Sequence, residues 1–149
     1  MTFDLAGARR AAQEGRLEAW VHAYLRGPAR NAAFADGPLL EPRRWRGPVE
    51  LPLAAPERVC GPDPDLPYPV PEAAWRRTLD HFAASFVRLE DFPPLIVEFD
   101  PARLAIHDGN HRHGAFEQLG LASCWCVLWY PDDARYRLHE SRAFALPSD

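Results

Sequence analysis

The first 26 residues carry apolar side chains at helical spacing. Residues 4–26 are predicted to form a helix in two pieces, with the break at Gly15 and the end at Gly27-Pro28. The apolar positions of the second piece follow the i, i+3, i+4, i+7 rule and are Leu17, Trp20, Val21, Tyr24 and Leu25. We expect this amphipathic helix to pack on a sheet.

A second helical pattern begins at Pro71 and runs to about Leu89. Proline suits the first turn of a helix, and Glu72 beside it favours the positive end of the helix dipole. Its apolar positions are Trp75, Leu79, Phe82 and Phe86. Between the two helical regions, residues 28–48 show little periodicity, and residues 54–71 contain six prolines. Both are predicted to be irregular connections or loops.

Three short apolar runs predict strands over residues 95–99, 104–107 and 125–130. The last run is apolar on both alternate faces, which is typical of a strand that is covered on both sides. Residues 49–53 predict a fourth strand at a sheet edge, because Pro52 cannot donate to a central ladder. The four-residue link after residue 99 predicts a hairpin, whereas the crossover from 104–107 to 125–130 predicts a parallel pair. The fold class is therefore α+β, a small mixed β-sheet flanked by helices.

At 149 residues the chain is expected to be a single domain. Its expected parts are an N-terminal helical extension (1–48), a core (49–130) and a C-terminal tail (131–149). A net charge of −4 argues against a domain that mainly grips nucleic acid. Three cysteines do not form a disulfide framework, and no run is apolar enough for a signal peptide or a membrane span. We therefore expect a cytoplasmic protein with no membrane partner.

The stretch from Asp108 to Ala115 carries the chemistry. Asp108-Gly109 is a turn signal after the 104–107 strand, Asn110 is a good N-cap, and Gly120 suits the position just after a helix. A strand, a glycine turn and a helix start that bears Arg112 together predict an anion site, because free backbone N–H groups and the helix dipole favour phosphate. The competing interpretation is an ordinary strand–helix turn in which Arg112 pairs with Asp108.

The motif D-G-N-H-R-H-G-A, followed by F-E-Q-L-G and an apolar strand, resembles the phosphate-binding signature of the ParB/sulfiredoxin-like superfamily. The resemblance runs from Pro93 to Tyr130 and extends more weakly over residues 49–70. It implies a stand-alone ParB N-terminal-like nucleotide-binding domain, with ATP, ADP or CTP as the ligand and Mg²⁺ as its companion. The residues implied to bind the nucleotide or phosphate are Asp108, Gly109, Asn110, His111, Arg112 and His113.

Two departures from the family pattern limit this prediction. Asn110 stands where sulfiredoxins have a reactive cysteine, so cysteine sulfinate reductase chemistry is not expected. Only 19 residues follow Tyr130, too few for the helix-turn-helix region and dimerisation segment of partitioning proteins, so DNA binding is not expected. NTPase or phosphoryl-transfer activity stays open, and so does whether the protein is an enzyme at all.

Two other functions remain open from the residues. One is a non-catalytic regulatory module that contacts a protein or nucleic acid through Trp45 and the neighbouring arginines 43, 44 and 46. The other is a degenerate relative that is retained only as a fold.

A zinc site is the alternative for the histidines, since His107, His111 and His113 lie close to Cys124 and Cys126 in the sequence. No C-x-x-C or H-E-x-x-H spacing is present, and His111 and His113 point roughly 200° apart around a helix. No metal is therefore predicted, and the two cysteines are expected to be buried in their strand. Catalytic residues stay unknown, since none of the scattered candidates has motif support: Glu18, Glu57, Cys60 and Asp63.

Overall fold

The computed structural model describes residues 1–141, so the end of the predicted C-terminal tail lies outside the described residues. The chain begins with helices α1 (Leu5–Gln13) and α2 (Leu17–Arg26), separated at Gly15, whose φ is +70°. The predicted division of the first helix is thus confirmed. Within residues 1–141, no helix is both long and apolar enough to cross a membrane.

The stretch predicted to be irregular, residues 28–48, is more ordered than expected. It contains a short helix, α3 (Ala32–Asp36), and the start of strand β1 (Arg44–Pro52). β1 is an edge strand as predicted, but it begins five residues earlier than Val49. The pairing of β1 with β7 shifts register between Arg46 and Val49, where the cis peptide Gly47–Pro48 lies. Side chains before and after the shift therefore do not follow one continuous two-residue alternation, and the sequence does not indicate the first part of the strand.

The proline-rich segment forms three very short strands: β2 (Pro56–Arg58), β3 (Cys60–Gly61) and β4 (Tyr68–Pro69). Helix α4 (Glu72–Ala84) follows and ends before the predicted Leu89, where a single 3₁₀ turn lies instead (Leu89–Asp91). The rest of the chain contains β5 (Leu95–Asp100), β6 (Arg103–Asp108), α5 (Asn110–Gln118), β7 (Ser123–Tyr130) and α6 (Asp133–Glu140).

The main sheet has five strands in the order β1-β7-β5-β6-β2. β5 and β6 form the predicted antiparallel hairpin, whereas β5 and β7 are parallel. The prediction that β6 and β7 form a parallel pair is wrong, because β5 lies between them and they run in opposite directions. Consecutive apolar residues favour a strand that is covered on both faces, and β5 occupies the central position of the sheet. Its residues Leu95, Ile96 and Val97 are completely buried there.

Helices cover both faces of the sheet. On one face α2 and α3 pack their apolar side chains against Ile96, Val127 and Trp129. On the other face, Leu95, Phe99 and Ile106 are buried together with Phe116 of α5, and α4 packs on α5 through Trp75, Leu79 and Ala115. The predicted α+β class, a mixed sheet flanked by helices, is confirmed. β6 therefore delivers its last residue, Asp108, to a point where α2, α4 and α5 meet.

Candidate functional site: a cavity at the start of helix α5

A tight turn joins β6 to α5 at Gly109. The φ angle of Gly109 is +107°, and a Cβ atom there would lie 2.5 Å from Cδ2 of Leu95 and 2.8 Å from Nη2 of Arg112. Only glycine fits this conformation and this space. The turn brings the first residues of α5 to the wall of a cavity of about 420 Å³.

Gly109, not the predicted Asn110, is the N-cap of α5, so no side chain caps the helix. The first intrahelical bond runs from the N–H of His113 to the carbonyl of Gly109, at 2.9 Å. The N–H groups of the three preceding residues therefore lack a helical acceptor, as at any helix start. These residues, Asn110, His111 and Arg112, line the cavity.

Asn110 uses its side chain to hold the neighbouring loop. Its Oδ1 accepts from the backbone N–H of Val59 at 2.9 Å and of Cys60 at 3.3 Å, and its Nδ2 donates to the carbonyl of Ile106 at 3.2 Å. The side chain is buried, and these three hydrogen bonds hold the 59–60 segment and the end of β6 to the start of α5.

Arg112 is buried, with 8% of its surface exposed, and it lines the cavity. Its Nη1 donates to the hydroxyl of Tyr24 at 2.9 Å, and its Nη2 donates to the carbonyl of Pro94 at 3.3 Å. Its Nε is buried without a hydrogen-bond partner. The guanidinium is thus firmly positioned by hydrogen bonds from two of its five N–H groups.

Asp108 is the acidic member of the site. Its Oδ2 lies 3.6 Å from Nη2 of Arg112, and its Oδ1 accepts from Nδ2 of Asn31 at 3.2 Å. Within residues 1–141 the buried Oδ2 atom has no hydrogen bond of ordinary geometry, and the Asp108 carboxylate also acts on the Tyr24 hydroxyl, where it raises the pKa. The pairing of Arg112 with Asp108, which the sequence offered as the structural alternative, is therefore present in the same site.

The two histidines of the motif have different surroundings. The His111 ring lies 4.6 Å from the Trp75 ring and lines the cavity, and burial lowers its pKa below the usual value, with a smaller effect from Arg112. His113 is almost completely buried and lies outside the cavity, with its Nε2 2.7 Å from the carbonyl oxygen of Leu53. α5 turns this position towards the 53–58 segment, so His113, which the motif implied as a binding residue, does not line the cavity.

Several residues of the cavity carry no signal in the sequence. Tyr24, Pro28 and Ala29 come from α2 and the turn after it, and Thr78, Phe82, Phe92 and Pro93 come from α4 and the loop before β5. Tyr24 belongs to the predicted apolar stripe, but nothing in that stripe shows that its hydroxyl faces Arg112. None of the residues 54–71 lines the cavity, and Glu18, Glu57, Cys60 and Asp63 are not in contact with it.

The arginines around Trp45 are used within the fold. Arg43 donates to the carbonyls of Pro38 and Pro131, and Nε1 of Trp45 donates to Glu18 at 2.8 Å. Nε of Arg46 donates to the hydroxyl of Tyr130 at 3.1 Å. These contacts attach β1 to its surroundings, so they give no specific support to a binding surface at this cluster.

Within residues 1–141, no three His, Cys, Asp or Glu side chains come together as a metal cluster. Cys124 and Cys126 are fully buried on one face of β7, with their sulfur atoms 3.8 Å apart. They lie on the face of the sheet that is packed with apolar side chains.

Comparison with known proteins gives a similarity of fold. No protein-family model matches the chain. No curated protein sequence matches it either. Among solved structures, sulfiredoxin from Arabidopsis thaliana is 21% identical, with a TM-score of 0.38, over 61% of this chain and 96% of that one.

The C-terminally truncated chromosome-partitioning protein ParB from Caulobacter crescentus, solved with CTP-gamma-S, is 20% identical, with a TM-score of 0.40. The match covers 68% of this chain and 54% of the ParB chain, so this chain spans about half of that protein. At these identities and TM-scores, the comparisons carry no argument about a ligand or an activity. The two matches are to a sulfiredoxin and to a ParB protein, and the D-G-N-H-R-H-G-A motif resembles the signature of the superfamily named after these two proteins.

Proposed function

We propose that the cavity at the start of α5 binds the phosphate group of a nucleotide. The observation that carries this proposal is Arg112, a buried arginine that lines the cavity and is held in place by Tyr24 and Pro94. Beside it, the uncapped helix start presents backbone N–H groups and the positive end of the helix dipole. A guanidinium and a helix start that converge on one cavity favour a phosphate oxygen over a neutral ligand.

The other end of the cavity suits an organic group. Phe82, Phe92 and Pro93 give it an apolar wall, and about 420 Å³ is enough room for a small ligand that carries more than phosphate. A nucleoside has a flat apolar face that packs on aromatic rings. The sequence motif makes ATP, ADP or CTP the first ligands to test.

The charge of Asp108 is the reason why we propose that the nucleotide binds together with Mg²⁺. The Asp108 carboxylate would repel a phosphate brought next to Arg112, unless a cation lies between the two anions. Asp108 lines the cavity, and Mg²⁺ is commonly held by one or two carboxylates together with substrate phosphates. Asp108 is thus the residue that would hold the ion, which would neutralise phosphate charge.

We further propose that residues 1–149 act as one domain and that the N-terminal helices belong to the site. Tyr24, Pro28 and Ala29 form part of the cavity wall, and Tyr24 and Asn31 bond to the two charged side chains of the motif. The helical extension is therefore a component of the binding site in this proposal, and its role is to fix Arg112 and Asp108.

Isothermal titration calorimetry with ATP, ADP, CTP and GTP, each with and without Mg²⁺, tests the proposal. We expect one nucleotide to bind, more tightly with Mg²⁺, and phosphate release assays on the same samples then measure turnover. Titration against His111→Ala and His113→Ala provides a matched pair, because only His111 lines the cavity.

His111→Ala is expected to weaken binding by about tenfold, a loss of ~1.4 kcal/mol, because the ring forms part of the cavity wall. His113→Ala is expected to lower stability and to leave the affinity of the folded protein unchanged. Failure of all four nucleotides to bind, or equal losses of affinity in both variants, would contradict the proposal.

A further inference from the structure

His111 differs from its neighbours in the site because its ring makes no hydrogen bond to residues 1–141. Asn110 and Arg112, on either side of it, are both held by side-chain hydrogen bonds. The His111 ring lines the cavity and lies against the Trp75 ring, with ring centres 4.6 Å apart and planes tilted by 37°. Packing alone therefore positions the ring, and no described protein group competes with a ligand for its nitrogens.

The surroundings of this imidazole favour its neutral form. Burial lowers the pKa of His111 below its usual value, and the positive charge of Arg112 lowers it further. His111 is also the second residue of α5, at the positive end of the helix dipole, which opposes a cation. All three effects act against protonation, so the ring carries no charge near pH 7.

The other charged or titratable groups near the ring do not change this balance. Asp108, at the end of β6, has its Oδ2 3.6 Å from Nη2 of Arg112, so its negative charge faces that guanidinium. Burial raises the pKa of Tyr24 on α2 to about 12, so its hydroxyl stays neutral. Arg58 lies over the same indole ring that His111 contacts, 5.4 Å from its centre, and adds positive charge. The cavity wall formed by α4 and by the loop before β5 contains no titratable side chain among residues 1–141.

A phosphate group in the cavity would reverse the balance for His111. Negative charge close to a half-buried ring favours the imidazolium, because the attraction is stronger where water is partly excluded. Both nitrogens of an imidazolium carry a proton, so whichever nitrogen faces the cavity can donate to a phosphate oxygen. A hydrogen bond from a charged donor is also stronger than one from the neutral ring.

We propose that His111 takes up a proton from the solvent when phosphate binds, and that the imidazolium then donates a hydrogen bond to a phosphate oxygen. This inference rests on the proposed function, since a phosphate in the cavity is its premise. It makes the affinity for the nucleotide depend on pH. Because the complex binds a proton that the free protein does not bind, affinity is highest at low pH and falls as the pH rises through neutrality.

Calorimetric titration with ATP near pH 7, in two buffers of different ionisation enthalpy, counts the protons that are taken up. CTP, ADP or GTP replaces ATP if it binds the native protein more tightly. We expect an uptake of about half a proton for each nucleotide bound, because His111 is neutral before binding and largely protonated afterwards. The affinity is expected to fall about threefold to tenfold between about pH 6.5 and 8.5.

The decisive quantity is the difference between the native protein and a variant, because a phosphate group itself titrates at about pH 6. His111→Gln retains a hydrogen-bonding side chain but cannot titrate. It is expected to lose the proton uptake that belongs to the protein, together with the corresponding part of the pH dependence. His81→Gln is the matched control, because His81 is exposed on α4 and does not line the cavity, and it is expected to behave like the native protein.

Equal proton uptake in the native protein and in folded His111→Gln would overturn this inference and leave the proposed function intact. Failure of all four nucleotides to bind the native protein would overturn both. NMR titration of the histidine rings in the native protein, with and without the nucleotide, gives a second measurement. The pKa of His111 is expected to rise by at least about one unit on binding, and an unchanged pKa overturns the inference even if His111→Gln does not fold.

Discussion

The hydroxyl of Tyr24 accepts a hydrogen bond from Nη1 of Arg112 at 2.9 Å and so joins helix α2 to the start of helix α5 across 88 residues of sequence. Both partners are buried, and the pKa of Tyr24 is raised to about 12, mainly by that burial. The hydroxyl therefore stays protonated and can serve Arg112 only as a neutral acceptor.

Tyr24→Phe is expected to lower the free energy of unfolding by about 1–3 kcal/mol, because it leaves Nη1 of Arg112 buried without an acceptor. Urea unfolding followed by tryptophan fluorescence measures the change. Tyr136→Phe is the control, because Tyr136 is half-buried and its hydroxyl makes no hydrogen bond within residues 1–141, where its ring contacts Tyr130 and Arg44. A loss in Tyr24→Phe no larger than that in the control would show that the Tyr24–Arg112 bond does not stabilise the fold.

Two glycines with positive φ allow a second comparison. Gly109→Ala is expected to destabilise the protein by about 2–5 kcal/mol, because strained backbone and collision with Leu95 and Arg112 add together. Gly120→Ala has φ +73° but no atom within 4 Å of the new Cβ, so only the backbone cost of about 1–2 kcal/mol is expected. Thermal unfolding of both variants measures the difference, and equal losses would mean that the space around Gly109 is not restricted.

His113 predicts how stability depends on pH. Burial lowers its pKa below 6.5, despite its hydrogen bond to the Leu53 carbonyl, so the folded protein binds fewer protons than the unfolded chain. The free energy of unfolding is therefore not reduced by His113 above about pH 6.5. It decreases as the pH falls below that value, because the unfolded chain then binds a proton that the folded protein does not bind. His111 and His139, whose pKa values are also lowered by burial, act in the same direction.

Urea unfolding at several pH values between about 7.5 and 5.5 tests this expectation. His113→Gln cannot titrate, so the loss of stability on acidification is expected to be smaller than in the original protein. An identical pH dependence in the two proteins would exclude His113 as a contributor.

The three cysteines differ in their expected reactivity. Cys124 and Cys126 are buried, and the pKa of Cys126 is raised well above its usual value by its hydrogen bond to Cys124 and by burial. Cys60 is half-buried, and burial raises its pKa as well. With Ellman's reagent we expect slow labelling of Cys60 in the folded protein and labelling of all three thiols in urea. Rapid reaction of more than one thiol in the native state would contradict the buried position of the pair on β7.

The sequence predicts the elements well where one pattern dominates. Residues 125–130 are apolar throughout and residues 95–99 are apolar except for Glu98, and both form interior strands of the sheet. The prediction from sequence fails where the position of a strand in the sheet depends on residues that are distant along the chain. β7 is antiparallel to β6 because β5 lies between them in the sheet. This strand order cannot be predicted from the local sequence of any of the three strands.

The candidate site shows the same division. The glycine turn and the helix start follow from the order of residues 108–112. Asn110 is not the N-cap of α5, because its side chain accepts hydrogen bonds from the backbone N–H groups of Val59 and Cys60, some fifty residues away in the sequence. Tyr24 and Phe82 lie in the cavity wall only because α2 and α4 pack where they do, which is a property of the tertiary structure.

The position of β7 between β1 and β5 has a consequence for synthesis. Among residues 1–141, strand β1 pairs only with β7, so residues 44–52 leave the ribosome long before their partners at 123–130 are made. Until then β1 has no neighbour, and β5 lacks one of its two. Folding therefore has to wait for nearly the whole described chain, and a nascent chain that stalls before Ser123 exposes two unpaired strand edges to other chains and to chaperones.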